Sequence, residues 1–192
     1  MSLPSECLIC HQWPGPALCE NCVQHFAQPR LRCRSCALPA ATTLCPSCQA
    51  HPPLWDTCLC AVDYDYPWQA CVTRLKFHND LGLAHSLGHL MRHAPWVESA
   101  LEQATCVLPM PLSAQRLRTR GYNQAHELAR HLLAALRTET LPQPRYTPHL
   151  LLRARDTPAQ SGLDARTRST NLSKALQILP QHHDQVRGCR VA

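Results

Sequence analysis

The sequence of 192 residues has few aromatic side chains and no long apolar run. No stretch approaches the 18 or more apolar residues that a membrane-spanning helix requires, which disfavours an integral membrane protein. The first seven residues contain neither the basic nor the apolar segment of a secretory signal, so we expect a cytoplasmic protein. Phe, Trp and Tyr make up 5% of the chain, which disfavours a nucleic-acid interface built on base stacking.

Acidic residues are scarce toward the C-terminus. Residues 1–60 carry three cations and three anions, and residues 61–112 carry three cations and five anions. Residues 113–192 carry thirteen cations and five anions, a net charge of +8. This asymmetry favours a polyanionic partner for the C-terminal part of the chain, either nucleic acid or a phosphorylated small molecule. A solvated basic surface is the alternative.

Cysteine, by contrast, is abundant: the chain has 13, and ten of them lie in residues 1–60. Four Cys-x-x-Cys pairs stand out, because the third and fourth pairs repeat the spacing of the first and second without change. A disulfide framework is disfavoured because the cytosol keeps thiols reduced. A redox-active dithiol is disfavoured because such proteins use one pair, not four evenly spaced ones.

The spacing of these pairs predicts two structural zinc ions. Two thiolates separated by two residues can point at one ion from a single turn, and two such turns complete a tetrahedral shell. Sequential pairing assigns one ion to Cys7, Cys10, Cys19 and Cys22, and the other to Cys33, Cys36, Cys45 and Cys48. A crossed pairing, in which the first and third pairs share an ion, is an open alternative. The other cysteines, namely Cys58, Cys60, Cys71, Cys106 and Cys189, are expected to be small buried residues.

After the break at Pro52–Pro53, apolar periodicity predicts alternating strands and helices. Strands are expected at Leu59–Tyr66, Thr105–Leu108, His149–Leu152 and from Arg190 onward. Helices are expected at Trp68–Leu75, Leu83–Met91 with Asn79 or Asp80 as cap, Asn123–Arg137 and Leu163–Leu176. Such alternation implies one parallel sheet covered by helices, which includes the strands near Val107 and Leu151.

A basic segment, Arg116–Tyr122, precedes the clearest of these helices and is predicted to be a glycine-containing loop. Backbone N–H groups and the dipole of the following helix would face a phosphate there, and the arginines would clamp it. An ordinary basic connecting loop is the alternative.

These features together resemble the ComF family, including its GntX-type members, which combine an N-terminal double zinc ribbon with a type I phosphoribosyltransferase-like domain. The resemblance covers essentially the whole chain and implies a double zinc ribbon at 1–52 and a partial phosphoribosyltransferase-like α/β domain at 53–192. It rests on the four cysteine pairs, on Leu75-Lys76-Phe77, on Pro109-Met110-Pro111-Leu112, on Arg118-Thr119-Arg120-Gly121-Tyr122-Asn123-Gln124, and on Thr157, Gln160, Leu163, Arg168 and Asn171 at the family's spacing.

The resemblance also implies which residues bind phosphate, phosphoribosyl pyrophosphate or nucleic acid. In the family, the segment like Pro109–Asn123 faces the diphosphate and the segment like Arg153–Arg168 is a mobile loop over the site. The expected contacts, from the basic segment and the family motifs together, are Lys76, Arg116, Arg118, Arg120, Gly121, Asn123, Gln124, Gln160 and Arg168.

One departure from the family limits what its enzymology implies. The family's strand that begins like Arg190-Val191-Ala192 continues into an acidic pair and a Thr-Thr-Gly loop, which holds the sugar phosphate. This chain stops before that loop, so we expect an incomplete α/β domain that is not catalytic as it stands. Mg²⁺ would be required only if the family's activity were retained.

The ComF family is linked to natural competence and to the use of DNA as a nutrient. The resemblance therefore implies single-stranded DNA as a partner for the basic region and a protein partner for the zinc ribbons. The alternative is a phosphoribosyltransferase, of which this chain is a fragment.

Overall fold

The computed structural model describes residues 5–134, 143–158 and 160–192. The chain divides into two compact units, Met1–Ser99 and Ala100–Ala192, which are described one at a time. That residues 1–52 form a domain of their own stays a prediction. Within the described ranges, no helix is both long and apolar enough to cross a membrane.

The first unit begins with two consecutive copies of one small structure. Each copy is a tight turn, a short excursion and a helix: α1 (Glu20–Phe26) follows the first excursion and α2 (Pro46–Ala50) the second. Several of their backbone hydrogen bonds recur at equivalent positions. Cys7 N–H donates to Gln12 O and Leu8 N–H to Ala17 O, as Cys33 N–H donates to Leu38 O and Arg34 N–H to Thr43 O.

Two further helices complete most of the first unit. In α3 (Trp68–Phe77), Trp68, Cys71 and Leu75 are buried at the helical spacing that the sequence predicts. The next helix, α4 (Gly82–Arg92), is confirmed as well, but its N-cap is Leu81 rather than Asn79 or Asp80. The Asp80 carboxylate instead accepts a hydrogen bond from Arg74 Nε at 3.1 Å. The strand predicted at Leu59–Tyr66 is wrong: this segment is irregular.

The second unit contains a small parallel sheet. β1 (Cys106–Val107) pairs in parallel with β2 (Arg145–Tyr146), and a parallel bridge joins Cys106 to Val191 on the other side. Leu108 N–H donates to Ala192 O at 2.9 Å, and Ala192 N–H donates to Cys106 O at 3.0 Å. The predicted strand at β1, its parallel pairing and the extended segment at Arg190 are therefore confirmed.

The strand near Leu151 lies in a different sheet from the one predicted. β3 (Leu151–Arg153) pairs antiparallel with β4 (Leu176–Ile178), with Leu151 opposite Ile178. The predicted helix at Leu163–Leu176 is correspondingly shorter: α8 (Ala165–Asn171) ends well before Leu176, which belongs to β4. The prediction of a single parallel sheet is wrong for these two strands.

The remaining helices lie on either side of these strands in the sequence. They are α5 (Val97–Gln103), which contains the division between the units, α6 (Ala114–Arg120), α7 (Gln124–Ala134) and α9 (His183–Val186), with 3₁₀ turns at Gln160–Gly162 and Pro180–His182. The end of the helix predicted at α7, positions 135–137, lies outside the described residues.

Candidate metal centres and arginine cluster

The structure gathers eight cysteines into two four-thiol clusters. The first holds Cys7, Cys10, Cys19 and Cys22 and the second Cys33, Cys36, Cys45 and Cys48; within each, the sulfur atoms lie within 4.8 Å of one another. The grouping is sequential along the chain rather than crossed. All eight thiols are free, so neither cluster is a pair of disulfides.

The sulfur spacing fits a tetrahedral zinc shell. A Zn–S bond of about 2.3 Å places neighbouring sulfurs of a tetrahedron about 3.8 Å apart. Cys10 Sγ and Cys19 Sγ are 3.6 Å apart, and Cys36 Sγ and Cys45 Sγ are 3.9 Å apart. Both distances are far longer than a disulfide bond of about 2.05 Å. Each cluster could therefore hold one zinc ion without rearrangement of the chain.

Backbone N–H groups support the first thiol of each cluster. Cys19 N–H donates to Cys7 Sγ at 3.4 Å, and Cys45 N–H donates to Cys33 Sγ at 3.3 Å. Such outer hydrogen bonds orient ligand sulfurs and favour the thiolate, which is the form that binds metal. Cys19 and Cys45 are each also the N-cap of the helix that follows, so the third thiol of each cluster stands at the start of a helix.

The thiols within a cluster differ in pKa. Burial acts to raise the pKa of Cys7, but hydrogen bonds from the Cys10, Cys19 and Ile9 amides outweigh it and leave the pKa at about 6. For Cys33, the Cys45 amide lowers the pKa most, again to about 6. Burial raises the pKa of Cys48 to about 12. The backbone thus prepares one thiolate per cluster.

The residue after each first Cys-x-x-Cys pair adopts a left-handed backbone conformation: φ is 62° at His11 and 59° at Ala37. This conformation costs an L-residue about 1–2 kcal/mol, and glycine removes most of that cost. We expect His11→Gly to raise the free energy of unfolding by about 0.5–1 kcal/mol in chemical denaturation, because the exposed His11 side chain makes only a surface contact with Glu6, which contributes little.

Two variants control this prediction. Ala37→Gly should be close to neutral, because loss of a buried methyl group, about 0.8 kcal/mol, offsets the relief of strain. His25→Gly, inside α1, should destabilise the protein by about 1 kcal/mol. Destabilisation by His11→Gly would show that this turn is not strained.

The cysteines outside the clusters are not all buried, so this prediction is wrong in part. Cys71 and Cys106 are buried, whereas Cys60 is exposed and Cys58 and Cys189 are half-buried. Burial of the Cys58 thiol and its proximity to the thiols of Cys60, Cys36 and Cys33 raise its pKa.

In the second unit, the basic segment predicted as a loop is largely a helix. Residues 116–120 belong to α6, which Ser113 caps by accepting a hydrogen bond from Arg116 N–H at 3.3 Å. The prediction of a loop is therefore wrong for these residues, since alanine, glutamine, leucine and arginine favour a helix. The turn comes after it: Gly121, with φ of 81°, ends the helix in the left-handed conformation that glycine adopts readily.

An arginine cluster forms where α6 meets the loop after β3, and we define it as Arg116, Arg153, Asp156 and Thr157. The Arg116 guanidinium donates to Thr157 O, and the Arg153 guanidinium donates to Thr157 Oγ1. Thr157 is 4% exposed. On the other side, Ser113 Oγ donates to Asp156. Two guanidinium groups thereby share Thr157, and Asp156 lies near enough to influence the ionisation of Arg153.

The arginine cluster has more positive than negative charge and includes a hydrogen-bond donor without a partner. Burial, and then the nearby Arg116, lower the pKa of Arg153, while Asp156 partly opposes them. Among the described residues, Arg153 Nε and Gln160 Oε1 are buried side-chain atoms that lack a hydrogen-bond partner. An unpartnered buried N–H is costly, so an acceptor at this point would be favourable. Sequence reasoning included Arg116 and Gln160 but missed the role of Arg153, which lies far from Arg116 in the chain.

Two of the other predicted ligand residues, Arg120 and Arg168, have local hydrogen-bond partners. Arg120 donates to Gln124, and Arg168 Nε donates to Leu163 O at 2.8 Å. Arg118 is exposed on the last turn of α6. Lys76 lies on α3 in the first unit, whereas the others lie in the second. Their contacts with a phosphorylated ligand stay a prediction.

Asn123 serves as the cap of α7. Its Oδ1 accepts from Ala125 N–H at 3.0 Å, and its Nδ2 donates to Met110 O at 3.1 Å. We therefore expect Asn123→Ala to lower the free energy of unfolding of the second unit by about 1 kcal/mol, the usual effect of losing a cap. Gln124→Ala is the control, with an expected change within about 0.5 kcal/mol. Thermal or chemical denaturation of both variants provides the measurement, and equal stability would contradict the capping role.

Comparison with known proteins identifies relatives over most of the chain. DNA utilization protein YhgH from Salmonella typhimurium is 26% identical over 189 residues, which cover 93% of this chain and 79% of the relative. YhgH from Escherichia coli K12 is 26% identical over 190 residues with the same coverage. Competence protein F from Haemophilus influenzae is 30% identical over 139 residues, 70% of this chain and 57% of that protein.

No protein-family profile matches the chain. No solved structure matches it either, so the phosphoribosyltransferase-like fold implied by the resemblance is not confirmed. The names of the relatives nevertheless agree with the family that the sequence motifs indicate, and the two four-cysteine clusters fit a double zinc ribbon. The chain is thus a homologue of DNA utilization protein YhgH and of competence protein F, and its predicted resemblance to the ComF family is confirmed.

Proposed function

We propose that the protein acts in the uptake or use of DNA, with two zinc ribbons and a phosphate-binding surface in its second unit. The names of its relatives support the general role. The observation that carries the phosphate-binding part is the arginine cluster, in which Arg116 and Arg153 share Thr157 and the buried Arg153 Nε lacks a partner. Paired guanidinium groups suit phosphate oxygens because they offer donors in parallel.

The four-cysteine clusters supply the metal part of this function. Their all-thiolate donor set and sulfur spacing suit Zn²⁺ in a closed structural site. A closed shell leaves no coordination position for a substrate, so the proposed role of zinc is to hold each ribbon folded. The ribbons are then free to serve as a docking module for a protein partner.

The basic composition of residues 113–192, net +8, supports nucleic acid as the ligand of the second unit. A nucleic-acid backbone makes many weak phosphate contacts in a row. A surface with scattered arginines suits such a ligand better than it suits a small molecule bound in one pocket. The described side chains of this unit include few aromatics, so binding through phosphates is expected to dominate over base stacking.

A small phosphorylated ligand is the second candidate, and a specific observation favours it. Gln160 Oε1 and Arg153 Nε are each buried without a hydrogen-bond partner, so the second unit offers one acceptor and one donor. Phosphoribosyl pyrophosphate carries both hydroxyl groups and phosphates, so it could use both atoms.

Binding measurements distinguish the two candidates. Labelled single-stranded DNA of several sequences is titrated with the full chain at a series of salt concentrations, and phosphoribosyl pyrophosphate with Mg²⁺ is titrated in parallel by calorimetry. We expect DNA binding without sequence preference that weakens steeply with salt, because phosphate contacts release counterions. Tight binding of phosphoribosyl pyrophosphate without DNA binding would replace the first candidate by the second, and binding of neither would refute the proposed phosphate site.

A further inference from the structure

Three histidines lie along one side of α4 at intervals of one helical turn: His85, His89 and His93, the last at the C-terminal cap of the helix. The imidazole centroids of His85 and His89 are 5.0 Å apart, and those of His89 and His93 are 5.8 Å apart. All three side chains are exposed. We call this row the histidine ladder; it is separate from both cysteine clusters.

The ladder borders a groove of about 370 Å³ within the first unit. Much of the remaining lining is apolar: Pro16, Leu18, Val23 and Ala27 belong to the first ribbon and its end, and Pro29 and Ala61 follow later in the chain. The described residues that line this groove include no carboxylate and no Lys or Arg side chain. Among them, the ladder therefore supplies all the titratable side chains.

The spacing of the rings is that of a metal chelate. Histidines four residues apart stand on the same face of a helix, the arrangement by which helical His pairs bind zinc. With a metal–nitrogen distance of about 2.1 Å, the ring centroid lies roughly 3.2 Å from the metal, so two ligands at tetrahedral angles have centroids about 5 Å apart. The His85–His89 pair matches this separation, and the His89–His93 pair needs a small rotation.

We propose that the histidine ladder is an exchangeable binding site for a divalent transition-metal ion such as Zn²⁺. His89 is the shared ligand of two overlapping pairs, one with His85 and one with His93. Imidazole suits Zn²⁺, Ni²⁺ and Cu²⁺, whereas Mg²⁺ and Ca²⁺ prefer oxygen ligands. Partial desolvation of the exposed ring, and then the neighbouring histidines and Arg92, lower the pKa of His89, which leaves more of the neutral ring that metals bind.

This site differs in kind from the cysteine clusters. A pair of imidazoles leaves two coordination positions to water or to a ligand in the groove, whereas four thiolates close the shell. The ion is accordingly expected to exchange while zinc in the clusters is retained.

The test is a calorimetric titration of Zn²⁺ into the full chain, already loaded with metal at its cysteine clusters and freed of weakly bound ions. Wild-type protein should bind one further ion. His89→Gln should weaken this affinity by more than about 100-fold, because even outer-sphere partners of a metal are worth 10–100-fold. His85→Gln and His93→Gln each leave one pair and should weaken binding less, with the larger effect for His85.

His78→Gln is the matched control, since His78 is an exposed histidine at the end of α3 in the same unit. It should bind the further ion like the wild type. In a long-range ¹H–¹⁵N NMR correlation spectrum, the imidazole resonances of the ladder histidines should shift on addition of Zn²⁺, and those of His78 should not. Equal affinity in wild type and His89→Gln, or equal losses in the ladder and control variants, would overturn the proposal. A failure of DNA binding would leave this result unaffected, because the two sites are measured separately.

Discussion

Protein purified without added metal is expected to contain about two tightly bound zinc ions per chain, measured by elemental analysis after removal of weakly bound ions. Each four-thiol cluster has the sulfur spacing of a tetrahedral site and backbone N–H groups that favour one thiolate. Structural zinc binds short peptides with about 10–16 kcal/mol of apparent free energy, and in small units of this size that energy is folding energy. Removal of zinc by a chelator should therefore unfold both ribbons.

Cys19→Ser and Cys45→Ser separate the two clusters. Each residue is the N-cap of the helix after it, a position that serine fills well, so these variants remove a metal ligand while they preserve the start of the helix. Each should lose one zinc ion and unfold only its own ribbon. Cys60→Ser, which removes an exposed thiol outside both clusters, should keep two ions.

Other results would contradict this assignment of ligands to the two clusters. If either substitution released both ions, the clusters would share ligands or fold as one unit, in conflict with the sequential grouping of sulfurs. Loss of an ion from Cys60→Ser would assign that residue to a shell. A zinc content near zero, in protein whose cluster cysteines are instead paired in disulfide bonds, would refute both metal sites.

The ribbons could be predicted from sequence because the residues that specify them lie close together in the chain. Ligand spacing fixes the turn, and the repeat that relates the cysteines also relates the hydrogen bonds, the left-handed residues His11 and Ala37 and the helix starts. The helices α3, α4 and α7 were predictable for a similar reason, since a regular apolar stripe indicates one buried face.

The second unit was harder to predict because short elements carry little periodicity. β2 spans only Arg145–Tyr146, and it becomes a strand only through its pairing with β1, which lies far earlier in the chain. Leu176 continues the apolar spacing of the preceding helix, so periodicity assigned it there, while tertiary pairing places it in β4. In α6, the density of arginine was interpreted as a loop although the residues favour a helix.

The arginine cluster escaped prediction for the same physical reason. Arg116 and Thr157 are distant in the sequence, and only the packing of α6 against the loop after β3 brings them together. A basic residue in a sequence does not reveal its partners. The sequence therefore indicated the charge of the second unit but not the position at which two arginines meet.

We expect Arg116→Gln together with Arg153→Gln to abolish most binding of single-stranded DNA and to flatten its salt dependence. Each phosphate contact on a single strand contributes about 0.7 to the slope of log affinity against log salt, so loss of two contacts should reduce the slope by about 1.4. Anisotropy titrations of labelled DNA at several salt concentrations provide the measurement. An unchanged slope would remove both residues from the contact set.

The matched control is Arg130→Gln together with Arg187→Gln, which removes the same charge from the same unit. Both arginines are exposed and pair with an acidic residue on or beside their own helix. Their loss should lower the association rate slightly through the overall field but should leave the slope almost unchanged. A slope that fell equally in both double variants would indicate diffuse attraction rather than contact at the arginine cluster.

Lysine substitutions decide which phosphorylated ligand the cluster holds. Arg116→Lys together with Arg153→Lys keeps both charges but loses the forked donors that bind a phosphate through two parallel hydrogen bonds. DNA binding that depends on charge along the strand should retain its salt slope in this variant. Recognition of a small ligand such as phosphoribosyl pyrophosphate depends on the geometry of the guanidinium, and it should fall almost as far as in the glutamine variant. The lysine variant therefore separates a role in holding DNA from a role in binding a phosphorylated sugar at the same two side chains.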